Sequence, residues 1–125
     1  MKVIRVDQLP TERIVECPNG GFTSHRMLLA SDGTGYTVTK TVIPPRGKQF
    51  WHYKNHIESC YCVSGVGELT NAETGETFII LPGTLYVLDN HDPHYFEAIE
   101  TVTLVCVFNP PLNGREVHKE DGSYE

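Results

Sequence analysis

Apolar residues in this chain fall in short runs, many alternating with polar ones, and Gly, Pro, Asn or Asp interrupts them every eight to twelve residues. Alternation with a period of two puts successive side chains on opposite faces of an extended strand, so the pattern predicts an all-β sandwich or barrel. No run repeats at the three- and four-residue spacing of an amphipathic helix. The predicted strands cover residues 2–6, 22–29, 36–43, 49–53, 59–63, 67–70, 77–81, 85–88, 95–99 and 102–108. Asp32-Gly33-Thr34-Gly35 and Glu73-Thr74-Gly75 can take the positive φ angles of tight connections, so each should join an antiparallel pair.

The pattern stops at Asn109-Pro110-Pro111, where two prolines end the last strand and the chain turns polar. By composition alone, residues 110–125 read as a frayed tail. With 125 residues and no linker-like stretch, the whole chain, 1–125, reads as one domain.

A net charge of −6 with scattered basic residues argues against nucleic acid and anionic membranes as partners. No apolar stretch approaches a membrane span, and Met1-Lys2-Val3-Ile4-Arg5-Val6 lacks the apolar segment of a signal peptide, so a cytoplasmic location is expected. Cys17, Cys60, Cys62 and Cys106 then read as buried free thiols. Cys60 and Cys62 share one face of a strand and lack the spacing of a structural zinc site.

Chemistry concentrates in two segments. The first runs from Gly47 through His52, Lys54 and Glu58 to Gly65. It resembles the first motif of the cupin barrels, a Gly, a His-x-His pair, a Glu and a closing Gly, with Lys54 in place of the second His. The second carries Gly75, Leu81, Gly83, Tyr86 and Asn90 at the spacings of the second cupin motif, with Leu81 for its Pro and Tyr86 for its His. In such a jelly-roll, or double-stranded β-helix, alternate residues on neighbouring strands face inward, so distant side chains converge on one interior point. A protonated Lys54 cannot ligate a metal, which excludes the usual histidine triad. Glu58, Tyr86 and His94 form the candidate replacement: a carboxylate, a phenol and an imidazole. Oxygen-rich ligation with one nitrogen suits iron(II), with other divalent transition metals as alternatives, and three protein ligands leave positions open for a Lewis acid's work. Singly, each residue has a plain explanation: a solvent-facing Glu, a barrel-filling Tyr, a turn His.

The segments His52-Tyr53-Lys54-Asn55-His56-Ile57-Glu58, Leu85-Tyr86-Val87-Leu88-Asp89, Val105-Cys106-Val107-Phe108-Asn109-Pro110 and Gly114-Arg115-Glu116-Val117-His118 together resemble the ectoine synthase family. That resemblance implies an iron-dependent lyase of compatible-solute biosynthesis: the α-amine of N-γ-acetyl-L-2,4-diaminobutyrate attacks its own acetamide carbonyl carbon, and water is lost as the ring closes. It implies metal ligands at Glu58, Tyr86 and His94, and a substrate carboxylate partner in Arg26. Thr41, Cys106 and Phe108 would line the substrate site, and Tyr53, His56, Glu116 and His118 would supply catalytic groups, base and acid unassigned. It further implies a homodimer, and a tail from residue 110 that folds over the barrel mouth as a lid.

Two positions depart from the family pattern: Phe22 stands where Trp is usual and Thr39 where Asn is common. Both would face the substrate, so one indole donor and one amide are missing. A divergent barrel enzyme acting on a related N-acyl diamino acid therefore stays open. So do a metal-dependent oxygenase or isomerase, and a small-molecule-binding barrel without turnover.

Overall fold

The computed structural model describes residues 1–114, and there the alternating runs become ten strands in two antiparallel sheets. The strands are β1 (Ile14–Glu16), β2 (Thr23–Leu28), β3 (Thr37–Ile43), β4 (Gln49–Trp51) and β5 (Ile57–Ser64), then β6 (Gly67–Asn71), β7 (Thr77–Ile80), β8 (Leu85–Leu88), β9 (His94–Ala98) and β10 (Val102–Asn109). One sheet has the order β1-β2-β3-β10-β5-β8 and the other β4-β9-β6-β7. Short 3-10 turns at Val6–Gln8, Thr11–Arg13 and Ala30–Asp32 are the only helical elements among the described residues, and none is long and apolar enough to cross a membrane.

β10 sits between β3 and β5, and its alternation is the clearest in the chain: Val102, Leu104, Cys106 and Phe108 are buried while the residues between them are not. Those four side chains face the second sheet, whose inner residues Leu69, Ile80, Phe96 and Ala98 complete the core. Aromatic rings tie the sheets together. Tyr86 on β8 stacks on Phe96 of β9 with centroids 6.2 Å apart, and Phe22 meets Trp51 of β4 edge-on at 5.8 Å.

The expected strand over residues 2–6 does not form. Val3 and Ile4 are adjacent apolar residues with no alternation to hold a register, and both are exposed. The sheet edge is taken instead by Ile14–Glu16, paired with β2 from Ile14↔His25 to Glu16↔Thr23, a three-residue strand too short to show a period. Both expected connections are present, β2 to β3 through Gly33 and Gly35, and β6 to β7 through Gly75, all three at positive φ. Gly65, the closing Gly of the first motif, has φ +90°, and a Cβ there would collide with the Thr101 carbonyl.

Past β10 the chain stays tied to the barrel through Leu112. Leu112 is fully buried, its N–H donates to Thr37 Oγ1 at 2.8 Å, and its carbonyl accepts from Ala30 N–H at 2.8 Å. The remaining tail, with the expected lid and with Glu116 and His118, lies outside the described residues.

Candidate metal centre and active site

Strand register builds the site. Reading across the six-stranded sheet, Arg26, Thr39, Cys106, Cys60 and Tyr86 are successive cross-strand partners on β2, β3, β10, β5 and β8. One step along, Thr37, Phe108, Glu58 and Leu88 form a parallel row. All these side chains take the inward parity of their strands, and every one except Tyr86, which is partly buried, is buried. A sheet face that should be apolar thus carries an arginine, a carboxyl and two thiols in adjacent rows.

Glu58 is 6% exposed, and burial pushes its carboxyl up to about 7, although hydrogen bonds from the Cys60 and Cys106 thiols pull the other way. Burial, with the neighbouring acids, also lifts Tyr86 and Cys60 well above their ordinary values. For Cys106 the hydrogen bond with Cys60 is the largest influence and lowers the thiol, but burial and the nearby Glu58 charge leave it raised. Every acid here is held toward its neutral form by burial. A divalent ion would reverse that balance.

His94 comes from the other sheet. It opens β9 and pairs with Trp51, and its ring lies 6.0 Å from that of Tyr53. Its Nδ1 donates to the Asp92 carbonyl at 2.9 Å, which fixes the tautomer and leaves Nε2 with a free lone pair. That Nε2 is buried and has no hydrogen-bond partner, and burial lowers the ring's pKa, keeping it neutral. A neutral, oriented, unpartnered imidazole nitrogen is able to ligate a metal.

A small interior cavity of about 20 Å³ is lined by Phe22, Thr41, Tyr53, Glu58, Tyr86, Cys106 and Phe108 among others. It is large enough for a water molecule or an ion. Tyr86 also borders, together with His94, a wider cleft of about 370 Å³ between the free edges of β7 and β8. Tyr86 is therefore the wall between interior and cleft.

The other expected residues fall around this centre. Arg26 is fully buried, its Nε donating to Ser24 Oγ at 3.4 Å, so it is no surface cation. Thr39 and Thr41 share a hydroxyl–hydroxyl bond of 3.0 Å along β3. His56 follows β4 and meets the Pro110 carbonyl through Nδ1 at 2.9 Å, with Phe108 edge-on to its ring at 6.0 Å. Tyr53 packs edge-on against the opposite side of the same row, 5.6 Å from Phe108.

Sequence reasoning missed Cys60. The atoms of Glu58, Cys60 and Cys106 that can bind a metal all lie within 4.8 Å of one another. The signal was available: two residues on from Glu58 in a strand is the same face. Trp51 and Ser24, also in the cavity wall, carried no comparable signal.

The family described as ectoine synthase matches residues 1–125. L-ectoine synthase of Marinomonas sp. strain MWYL1 is 49% identical over 116 residues, covering 92% of this chain and 89% of that protein. The crystal structure of ectoine synthase from P. lautus superposes with a TM-score of 0.88 at 40% identity, covering 98% of this chain and 87% of that one. The polyketide cyclase RemF of Streptomyces resistomycificus shares the fold alone, with a TM-score of 0.72 at 21% identity, covering 98% of this chain and 89% of its own. The jelly-roll barrel expected from the two motifs is the fold observed, and the chain belongs to the ectoine synthase family.

Proposed function

We propose that this barrel catalyses the intramolecular cyclisation of N-γ-acetyl-L-2,4-diaminobutyrate to ectoine with loss of water, and that it does so with iron(II) held by Glu58, Tyr86 and His94. The observation that carries the metal part is the buried, unpartnered Nε2 of His94, a residue of the cleft whose wall Tyr86 shares with the Glu58 cavity. The family match and its close relatives support the reaction.

An amide carbonyl is a poor electrophile, and a bound divalent cation supplies Lewis acidity to its oxygen. The residues of the chain do the rest. Arg26 offers a planar fork for the substrate carboxylate, and Thr41 a hydroxyl, which together hold the chain bent so that amine and carbonyl carbon meet. Phe22, Phe108 and Cys106 wall the substrate from water, and Thr39 lies one row from Thr41. Tyr53 and His56, with Glu116 and His118 of the tail, are the groups able to exchange the protons that the α-amine loses and the departing oxygen gains.

The outer face of the six-stranded sheet supports a homodimer. Ile57, Tyr61, Val63, Leu85, Val87 and Val107 are all exposed on β5, β8 and β10, a strip a second copy would cover. Sedimentation would read this directly.

The test is to load the protein anaerobically with iron(II), supply N-γ-acetyl-L-2,4-diaminobutyrate and follow product by NMR. Ectoine from the loaded protein and none from Glu58→Ala supports the proposal. A folded, iron-bound protein that makes no ectoine overturns it and directs attention to related N-acyl diamino acids, where Phe22 and Thr39 alter the pocket.

A further inference from the structure

The catalytic reading gives no metal role to the two thiols beside Glu58. Cys60 and Cys106 are direct cross-strand partners on β5 and β10, and Glu58 is two residues before Cys60 on the same face. The three are 6%, 1% and 2% exposed, and their donor atoms lie within 4.8 Å of one another. On a tetrahedral zinc, with sulfur at about 2.3 Å, two ligand sulfurs stand roughly 3.8 Å apart, so small side-chain rotations would close this group on an ion. Among the described residues the thiols' polar neighbours are each other, Glu58, Tyr86 and, for Cys106 at 3.9 Å, Thr41. Nothing in the proposed reaction uses Cys60.

We propose that Glu58, Cys60 and Cys106 form a second metal site for a thiophilic divalent cation such as Zn²⁺ or Cd²⁺, overlapping the Glu58–Tyr86–His94 set through the shared carboxylate. The two sets differ in softness. Oxygen and imidazole nitrogen suit iron(II), and thiolate sulfur selects zinc and cadmium. In this proposal the shared carboxylate serves one ion at a time instead of bridging two, so an ion on the sulfur side removes a ligand from the other set and the two occupancies exclude each other. Ion entry releases the thiol protons to bulk solvent, leaving a carboxylate and up to two thiolates around a dication. A metal preference is thereby built into the barrel: the sulfur side captures soft ions in a position where Tyr86 and His94 do not complete the coordination. Only this competition rests on the proposed function. The site itself does not.

The experiment is a titration of the metal-free, reduced full chain with Cd²⁺, and in parallel with Co²⁺, following the near-ultraviolet thiolate-to-metal absorption. The expected result is a band that saturates at one equivalent. Cys60→Val should abolish it or weaken binding at least tenfold, and Cys62→Ser should retain it, since Cys62 lies a row away and its thiol donates to the Ser64 carbonyl at 3.4 Å. Circular dichroism reports whether each variant folds, and Cys60→Ser provides a second small replacement. An unchanged band in both Cys60 variants, or metal binding by the unmutated chain with no thiolate band, overturns the site. The competition is read separately: Cd²⁺ should suppress iron-dependent ectoine formation in the unmutated chain and require at least tenfold more cation in Cys60→Val. Equal suppression in both overturns the exclusion. A thiolate band with no ectoine under any condition leaves the sulfur site standing and removes the proposed reaction; ectoine without a band does the reverse.

Discussion

Two carboxyl groups mark the extremes of this molecule. Glu58 lies inside the barrel, where burial pushes it up to about 7. Asp32 lies at the end of the β2–β3 connection, where Arg13 pulls it down to about 2, helped by the Leu29 N–H. Asp32 accepts from Arg13 at 2.8 and 3.4 Å and from Leu29 N–H at 2.9 Å, with Lys2 nearby. Every polar group in that knot answers another, and its effect is to pin an otherwise loose N-terminal segment to the barrel. Around Glu58, among the described residues, the answering groups are weak thiols, and the His94 Nε2 has no hydrogen-bond partner at all. Satisfied polar clusters hold a fold, and unsatisfied ones bind something.

The comparison breaks most visibly at Glu58. Glu58→Ala should lower kcat/KM by about a thousandfold or more, since several kcal/mol of carbonyl activation depend on the ion we propose it to hold. The melting temperature of the metal-free variant should not fall with it, because a buried carboxyl without a cation contributes no stability at neutral pH. A variant that loses stability while keeping turnover would place Glu58 with Asp32, among the structural groups.

Next in size is pH. A carboxyl whose folded pKa is raised binds its proton more tightly folded than unfolded. The metal-free barrel therefore loses stability as pH climbs from the unfolded value of 4.5 through about 7. The loss is of order 3 kcal/mol. Urea titrations of metal-free protein at pH 5 and pH 8 would show it, and Glu58→Gln should flatten the difference. A flat profile in the unmutated chain would mean that water reaches Glu58 and that the site is less enclosed than its burial indicates.

Arg26 sharpens the comparison from the far end of the row. It is fully buried, yet the reading gives it to substrate, not to the fold. Arg26→Lys keeps the charge and loses the fork, so KM should rise about tenfold with kcat changed less. An equal fall in kcat with KM constant would move Arg26 from carboxylate binding to the reacting end of the substrate.

How much of this was readable follows the same division. Nine of the ten observed strands were expected: most are long enough to show a period, β10 above all, and three-residue β4 was legible only as part of the longer run 49–53. Ile14–Glu16 was invisible, since three residues have no period, and residues 2–6 misled because apolar content was taken for pattern. Glu58 and Tyr86 share a face by strand parity and register, which motif spacing encodes, and Cys106 reaches it through the alternation of β10. Cys60 obeys the same parity but was read as core, its apolar neighbours outweighing its position beside Glu58. The His94 tautomer rests on a bond to the Asp92 carbonyl two residues back, a turn geometry that no spacing announces. The Arg13–Asp32 knot was likewise unread, for charged pairs far apart in sequence carry no local signature.

Asp32 gives the smallest effect and the opposite sign. A carboxyl whose folded pKa is depressed contributes stability above its unfolded value of 3.8, lost as pH falls toward about 2. The group is near the surface, so solvent screening holds the contribution to about 1 kcal/mol. Asp32→Asn should therefore lower stability by that amount at pH 7, most of it gone at pH 2.5, while ectoine formation by the iron-loaded enzyme is unchanged. The reason to expect unchanged turnover is positional: the knot fastens Leu29 and the Thr11–Arg13 turn, and the barrel rows that converge on Glu58 are set by β3, β10, β5 and β8. The neighbouring Ala30 N–H, however, donates to the Leu112 carbonyl, on the segment that leads into the tail. Should Asp32→Asn lower turnover as well, that bond is the route by which a loose connection would reach the catalytic end of the barrel. The double variant Asp32→Asn with Leu112→Ala would then lose less than the sum of the two single losses.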